Sequence, residues 1–208
     1  MPQSERSITH SISLTSDLQT AEMSYRRYWV GFMPRVSGTL LAGFRYTRLK
    51  EDFLFSTRGE AGLDYGIRAD NNLAGFQTGA DMWVTVLQGL RFGAEGKVGI
   101  YNNRYTLDTN VVAIPPVGGA PTLVEQFEEN QVAFVSEASV DVVADILPSW
   151  SLRAGYEVLF MNSVILAGEN FNTGSPYGLP GQEERVPFLA DQGSALYHGF
   201  HAGVEYIW

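Results

Sequence analysis

Cysteine is absent from the 208 residues, which excludes a disulfide framework, a thiolate metal site and a cysteine nucleophile. Charge is scarce as well: Asp, Glu, Lys and Arg make up 18% of the chain, below the usual quarter. The balance leans acidic, with a net charge of −9. Nothing here would neutralise a phosphate backbone, so nucleic acid is excluded as a partner. No run reaches the roughly 18 apolar residues of a membrane-spanning helix. The opening Met1-Pro2-Gln3-Ser4-Glu5-Arg6 has no apolar core and does not read as a signal peptide. Convincing helix-period stretches are missing too.

What remains is rich in glycine (22), tyrosine (10) and phenylalanine (12), and it alternates with period two, the signature of strands. Leu40, Ala42, Phe44 and Tyr46 are separated by Gly43 and Arg45. Ala74, Phe76, Ala80, Met82 and Val84 are interleaved with Gly75, Gln77, Gly79 and Asp81. The same pattern runs through Phe92–Ile100 around Glu95 and Lys97, Val132–Val142 around Glu137 and Asp141, and Leu152–Phe160 around Arg153 and Glu157. It ends in Phe200, Ala202, Val204, Tyr206 and Trp208 around His201 and Glu205. Two weaker segments, 7–16 and 18–30, set Ala21, Met23 and Tyr25 against Glu22, Ser24 and Arg26. The sequence therefore predicts about eight strands in a single domain, 1–208. A short pattern recurs in them: Ala42-Gly43-Phe44-Arg45, Ala74-Gly75-Phe76-Gln77, Ala154-Gly155-Tyr156-Glu157 and Ala202-Gly203-Val204-Glu205. In each, a glycine leaves room beside a long polar side chain on one face.

The connections alternate in length. Residues 31–37, 87–90 and 147–150 read as short turns; 50–72, 104–130 and 162–194 read as long loops. Outer-membrane barrels have this asymmetry, with short periplasmic turns and long extracellular loops. Trp29, Trp83, Trp150 and Trp208 all fall at the short-turn end, where an aromatic belt, joined by Tyr206, would meet the headgroups. The chain closes on an aromatic residue with apolar residues at every second position before it, the form of a terminal insertion signal. The expected fold is thus an all-β, antiparallel, up-and-down transmembrane β-barrel. Either its eight strands close by themselves or they form the C-terminal part of a larger barrel, the second being favoured by the absence of a signal peptide.

On that reading the polar face lines the lumen, and the residues expected there are Glu22, Arg26, Arg45, Gln77, Asp81, Glu95, Lys97, Glu137, Arg153, Glu157 and Glu205. With four cations beside the carboxylates, a salt-bridged lumen is a better expectation than an acid/base pair. The competing arrangement is a soluble or membrane ligand-binding barrel of lipocalin type, or a barrel enzyme, with the apolar face inward and these charges in water. Against it, the polar face carries many Gly, Ser and Thr and only alternate charges, where soluble surfaces are dense in Lys and Glu.

At Ala42-Gly43-Phe44-Arg45-Tyr46-Thr47-Arg48-Leu49-Lys50-Glu51-Asp52, preceded by Ala21-Glu22-Met23-Ser24-Tyr25-Arg26-Arg27, the chain resembles the β-barrel porins of planctomycete-type bacteria. Gly93-Ala94-Glu95-Gly96-Lys97-Val98-Gly99-Ile100-Tyr101 and Tyr197-His198-Gly199-Phe200 are similar too. The resemblance implies an outer-membrane barrel and brings no catalytic residues with it.

No hydrolase elbow, phosphate-binding loop or His-Glu-x-x-His is present. His198 and His201, three apart on a strand, point to opposite faces and cannot chelate one ion. No catalytic residue, metal or cofactor is expected. The expected partners are outer-membrane lipid and the barrel-insertion machinery, which would read the C-terminal strand. The expected function is a passive pore or a structural barrel.

Overall fold

A computed structural model describes residues 7–31, 35–59, 62–114, 122–172 and 188–206. They form one seven-stranded antiparallel sheet with strands in sequence order, curled into a half-barrel. The strands are β1 (Ser7–Val30), β2 (Val36–Gly59), β3 (Gly62–Leu87), β4 (Leu90–Ile114), β5 (Thr122–Leu147), β6 (Trp150–Val164) and β7 (Gly193–Tyr206). Segments 7–16 and 18–30 are one uninterrupted strand rather than two. Ser16 and Asp17 favour turns in isolation, yet here the ladder with β2 runs through them without a break, Ser16 opposite Glu51 and Asp17 opposite Lys50. Hence the described sheet has seven strands and not eight.

The curl follows from contacts between strands that are not neighbours. Strands three apart are roughly 14 Å apart in a flat sheet, yet Arg45 of β2 bonds Glu137 of β5 directly. Lys97 of β4 likewise reaches Glu22 of β1 at 3.3 Å. At the two edges the Ser16 hydroxyl of β1 meets the Tyr197 hydroxyl of β7 at 2.8 Å. Because β1 and β7 run in the same direction, these edges cannot join through an antiparallel ladder. Residues 7–16 do not fill the free edge of β7; they pair with 51–59 of β2.

Three tight connections gather at one end. At Gln88-Gly89 the glycine has φ of 83°, a left-handed conformation that suits a two-residue hairpin. The Asp145 N–H donates to its carbonyl at 2.7 Å, tying this turn to the next.

The stretches expected as loops, 50–72 and 104–130, are instead strand for most of their length: β2 runs on to Gly59, β3 starts at Gly62, β4 reaches Ile114 and β5 starts at Thr122. Among the described residues, the longest stretches outside any strand are those of the β6–β7 connection, 165–172 and 188–192. A strand of 24 residues spans roughly 80 Å, whereas about 9–11 tilted residues cross a bilayer. The strands therefore continue far past any membrane. What changes along them is which face is greasy. Near the turns the outer face carries Phe44, Phe76, Val98, Val140 and Val204, all exposed. Beyond Tyr46, Asn72 and Asn102 the outer face becomes polar and the inner face apolar, so the far end folds as a water-soluble sheet around its own core.

Candidate functional site

The concave face near the turns is a band of cross-strand ion pairs. Lys97 is its hub: its ammonium lies 2.9 Å from Glu95, 3.0 Å from Glu137 and 3.3 Å from Glu22. Arg45 is buried against Glu137 and also donates to the Thr20 hydroxyl at 3.0 Å. Arg26 bridges Asp81 at 3.4 Å and Glu95 at 3.5 Å. Nearer the β7 edge, Arg153 binds Asp141 at 2.9 Å and Glu205 at 3.4 Å, and lies over the Trp83 ring at 5.6 Å. Gln77 is buried on this face and accepts from the Tyr101 hydroxyl at 3.1 Å. Glu157 lies half-buried on the same face, beside Leu159 and Tyr197.

Two glycines make room for this layer. A Cβ on Gly155 would meet the His201 ring and the Asp141 carboxylate at 2.6 and 2.7 Å, and one on Gly93 would meet the Trp83 ring at 2.7 Å.

Asp141, on the polar parity of its strand but outside the expected lumen set, is the buried carboxylate between Arg153 and His201. His201 donates its Nε2–H to it at 2.8 Å, while His198 points outward to the Tyr156 hydroxyl at 2.6 Å. The expected belt divides. Trp29 is exposed on the outer face, and Trp150 packs on Tyr206 there at 4.9 Å. Trp83 does not join them: it shares the parity of Gln77 and Asp81, so its ring faces inward onto Arg153. Trp208 lies outside the described residues.

Two apolar layers lie above the ion-pair band. The lower contains Leu49, Leu73, Tyr101, Ala133, Val135, Leu159, Met161 and Val164. The upper joins Leu63, Tyr65, Ile67, Tyr105, Leu107 and Val111 to Ile165 and Ala167 of the β6–β7 connection. The Phe171 ring of that connection packs against Phe53 at a tilt and against Phe55 and Tyr65 edge to face, with centroids 5.3, 5.4 and 4.9 Å away. Wall side chains also bind the backbone of this excursion. Asn71 donates to the Ile165 carbonyl at 2.8 Å and accepts its N–H at 2.7 Å. Gln131 donates to the Asp191 carbonyl at 2.8 Å; at the end of β6 the Ser163 carbonyl accepts from Gln131 at 2.9 Å and from Asn103 at 3.2 Å. Glu51 accepts the Ala167 N–H at 3.0 Å. None of these four residues is in the expected lumen set: Glu51 and Asn71 fall in a stretch expected as a loop, 50–72, while Asn103 and Gln131 lie just outside 104–130; the available signal was polar residues interrupting an apolar parity.

Burial raises the Glu51 carboxyl above its ordinary 4.5, helped by the like charge of Glu169 and opposed by the Ala167 N–H. Its other neighbours are the Tyr197 hydroxyl and the uncharged ladder partners Ser16 and Ala69. A carboxyl raised in the docked state favours docking fully below its free value, and that contribution is lost as pH rises through the docked value. Exchange of the Ala167 amide, corrected for intrinsic rate, should therefore accelerate as pH rises above the ordinary carboxylate range. In Glu51→Gln the dependence should vanish; a dependence that persists would place its origin elsewhere.

Outside, the distal strands are clasped by Arg48–Asp70, Arg68–Asp52, Arg58–Asp64 and Arg104–Glu128. The arginines hold Asp70, Asp52 and Asp64 below the usual carboxylate range. Inside, burial beside Glu129 carries the Tyr105 hydroxyl up to about 12, so it remains a donor.

An apolar outer band, a charged concave face and short turns at one end define an up-and-down β-barrel wall of porin type. Residues 7–208 match the family described as "Putative beta barrel porin-7 (BBP7)", and the chain belongs to that family. No curated protein and no solved structure matches it.

Proposed function

We propose that this protein is a passive, porin-like barrel of the bacterial outer membrane, with its ion-paired face turned to water in the lumen and its apolar face turned to lipid. The observation that carries the reading is the opposite polarity of the two faces over one shared stretch of strand. A sheet with charge inside and grease outside is stable where the outside is hydrocarbon. Membership of a porin family points away from catalysis. On this reading the short turns are periplasmic, the ion-clasped strand ends are extracellular, and the insertion machinery engages β7, whose outer face presents Leu196, Phe200, Val204 and Tyr206.

Among the described residues near the turns, eight inner-face carboxylates (Glu22, Asp81, Glu95, Glu137, Asp141, Asp145, Glu157, Glu205) face five cations (Arg26, Arg45, Arg91, Lys97, Arg153). Rings of one sign repel like-charged ions, so a mild cation preference is expected in planar-bilayer reversal potentials; strong anion preference would refute this lumen assignment. A structural barrel is the second reading, favoured by the two apolar layers that fill the interior above the ion pairs. Absence of conductance in every condition would select it.

A further inference from the structure

We propose that the lower apolar layer is the selectivity element of the pore: a dry septum, made by the wall itself, that bars hydrated ions until it wets. The inference deepens the pore reading above and rests on it. Every described strand contributes to the layer: Leu18 of β1, Leu49 of β2, Leu73 of β3, Tyr101 of β4, Val135 of β5, Met161 of β6 and Tyr197 of β7. The first and last are half-buried, and the five between them are at most 4% exposed. Strand tilt brings all seven to one level. Ladder partners lead from Arg26 of β1 to Tyr197 of β7, yet the Tyr197 hydroxyl meets Ser16 instead. The layer therefore crosses the interior from one edge of the sheet to the other.

The polar atoms of these side chains are already engaged. The Tyr101 hydroxyl donates to Gln77 at 3.1 Å, and the Tyr197 hydroxyl is taken by Ser16 at 2.8 Å. The Tyr101 ring fits because Gly99 has no side chain: a Cβ there would come within 2.7 Å of it. An ion entering the layer would lose its water and find no ligand in exchange, which is costly. Narrow apolar constrictions of this kind exclude water and so gate by dewetting. On the turn side lies the Lys97 cluster, so the charged face can sort ions only once the septum is wet.

The chain has no cysteine, so a single introduced thiol reports water access without background. The test uses the full chain, in detergent for labelling by a charged methanethiosulfonate reagent and in planar bilayers for conductance. Ala133→Cys places the thiol in the septum, and Ser139→Cys places it on the inner face between Glu95 and Glu157. Serine and alanine are close in size, but an apolar cavity stays dry where a polar one takes up water. Leu49→Ser and Met161→Ser should therefore speed labelling of Ala133→Cys about tenfold and raise conductance, whereas Leu49→Ala and Met161→Ala should change neither. The two positions lie on different strands, so failure of one pair to assemble leaves the other. Prompt labelling of both thiols in the otherwise unaltered chain would overturn the septum and leave the pore reading standing. Serine variants that label no faster than their alanine counterparts, or that label faster without conducting more, would also overturn it. Slow labelling of both thiols would mean that the inner face is dry throughout, and the pore reading then fails with the septum.

Discussion

Lys97→Met should destabilise the assembled barrel by about 3 kcal/mol or more, because it leaves three carboxylates converging on a site that has lost its cation. The ammonium holds Glu22, Glu95 and Glu137 together, and its side chain is only 10% exposed. Methionine keeps most of the stem's bulk, so lost packing contributes little. The remaining cations cannot take over: Arg45 already serves Glu137, and Arg26 is shared between Asp81 and Glu95. Urea titration of folding in phospholipid vesicles reads the loss directly. Adding Glu137→Gln to Lys97→Met should cost less than the sum of the two single changes, since the second removes part of the charge the first stranded. The same replacement at Arg48, whose partner Asp70 sits on the exposed outer face, should have a far smaller effect. Equal effects at both positions would mean that the inner cluster is as well hydrated as the outer pairs.

The strands near the turns were legible because each element there has one greasy parity and one polar parity. Phe44 and Arg45, or Val98 and Lys97, declare their faces by sequence position alone. The distal halves were not legible, although they are just as regular. In β2 the apolar residues sit at even positions through Tyr46 and move to odd positions at Leu49, Phe53 and Phe55, where Arg48, Lys50 and Asp52 now face out. The backbone does not slip; the outer face changes from apolar to charged, and the sequence changes phase with it. Read against a single pattern, such a stretch looks like a loop. Trp83 was misplaced for a related reason: its position near a turn suggested an interface, whereas its parity with Asp81 sets its ring inside. Glu51, Asn71 and Gln131 interrupt an apolar parity, but that signal does not say what they bind: their partners, the peptide groups of Ala167, Ile165 and Asp191, belong to a connection distant in sequence.

The change of phase also gives a direct test of where lipid begins. Val140 and Val124 lie on the same strand and the same outer face, sixteen residues apart, 59% and 69% exposed on the isolated chain. Val140 sits in a row with Ala94 and Tyr156, near the middle of the apolar band. Val124 lies beyond Glu128, where the outer face is polar. Valine to lysine is one chemical change at both positions, and neither side chain is buried in a core, so packing and strand propensity cancel in the comparison. Near the bilayer midplane a lipid-facing lysine costs about 2–4 kcal/mol, falling to about 0–1 near the interface. Val140→Lys should therefore lower folding stability in vesicles by about 2–4 kcal/mol, and Val124→Lys should leave it within about 0.5 kcal/mol, as for an ordinary surface substitution. A sheet in water on its outer face would tolerate both changes alike, and near-equal stabilities would place the whole outer surface in solvent. Intermediate positions on β5, substituted one at a time, should trace the cost falling between Val132 and Glu128, where the outer face turns from apolar to charged.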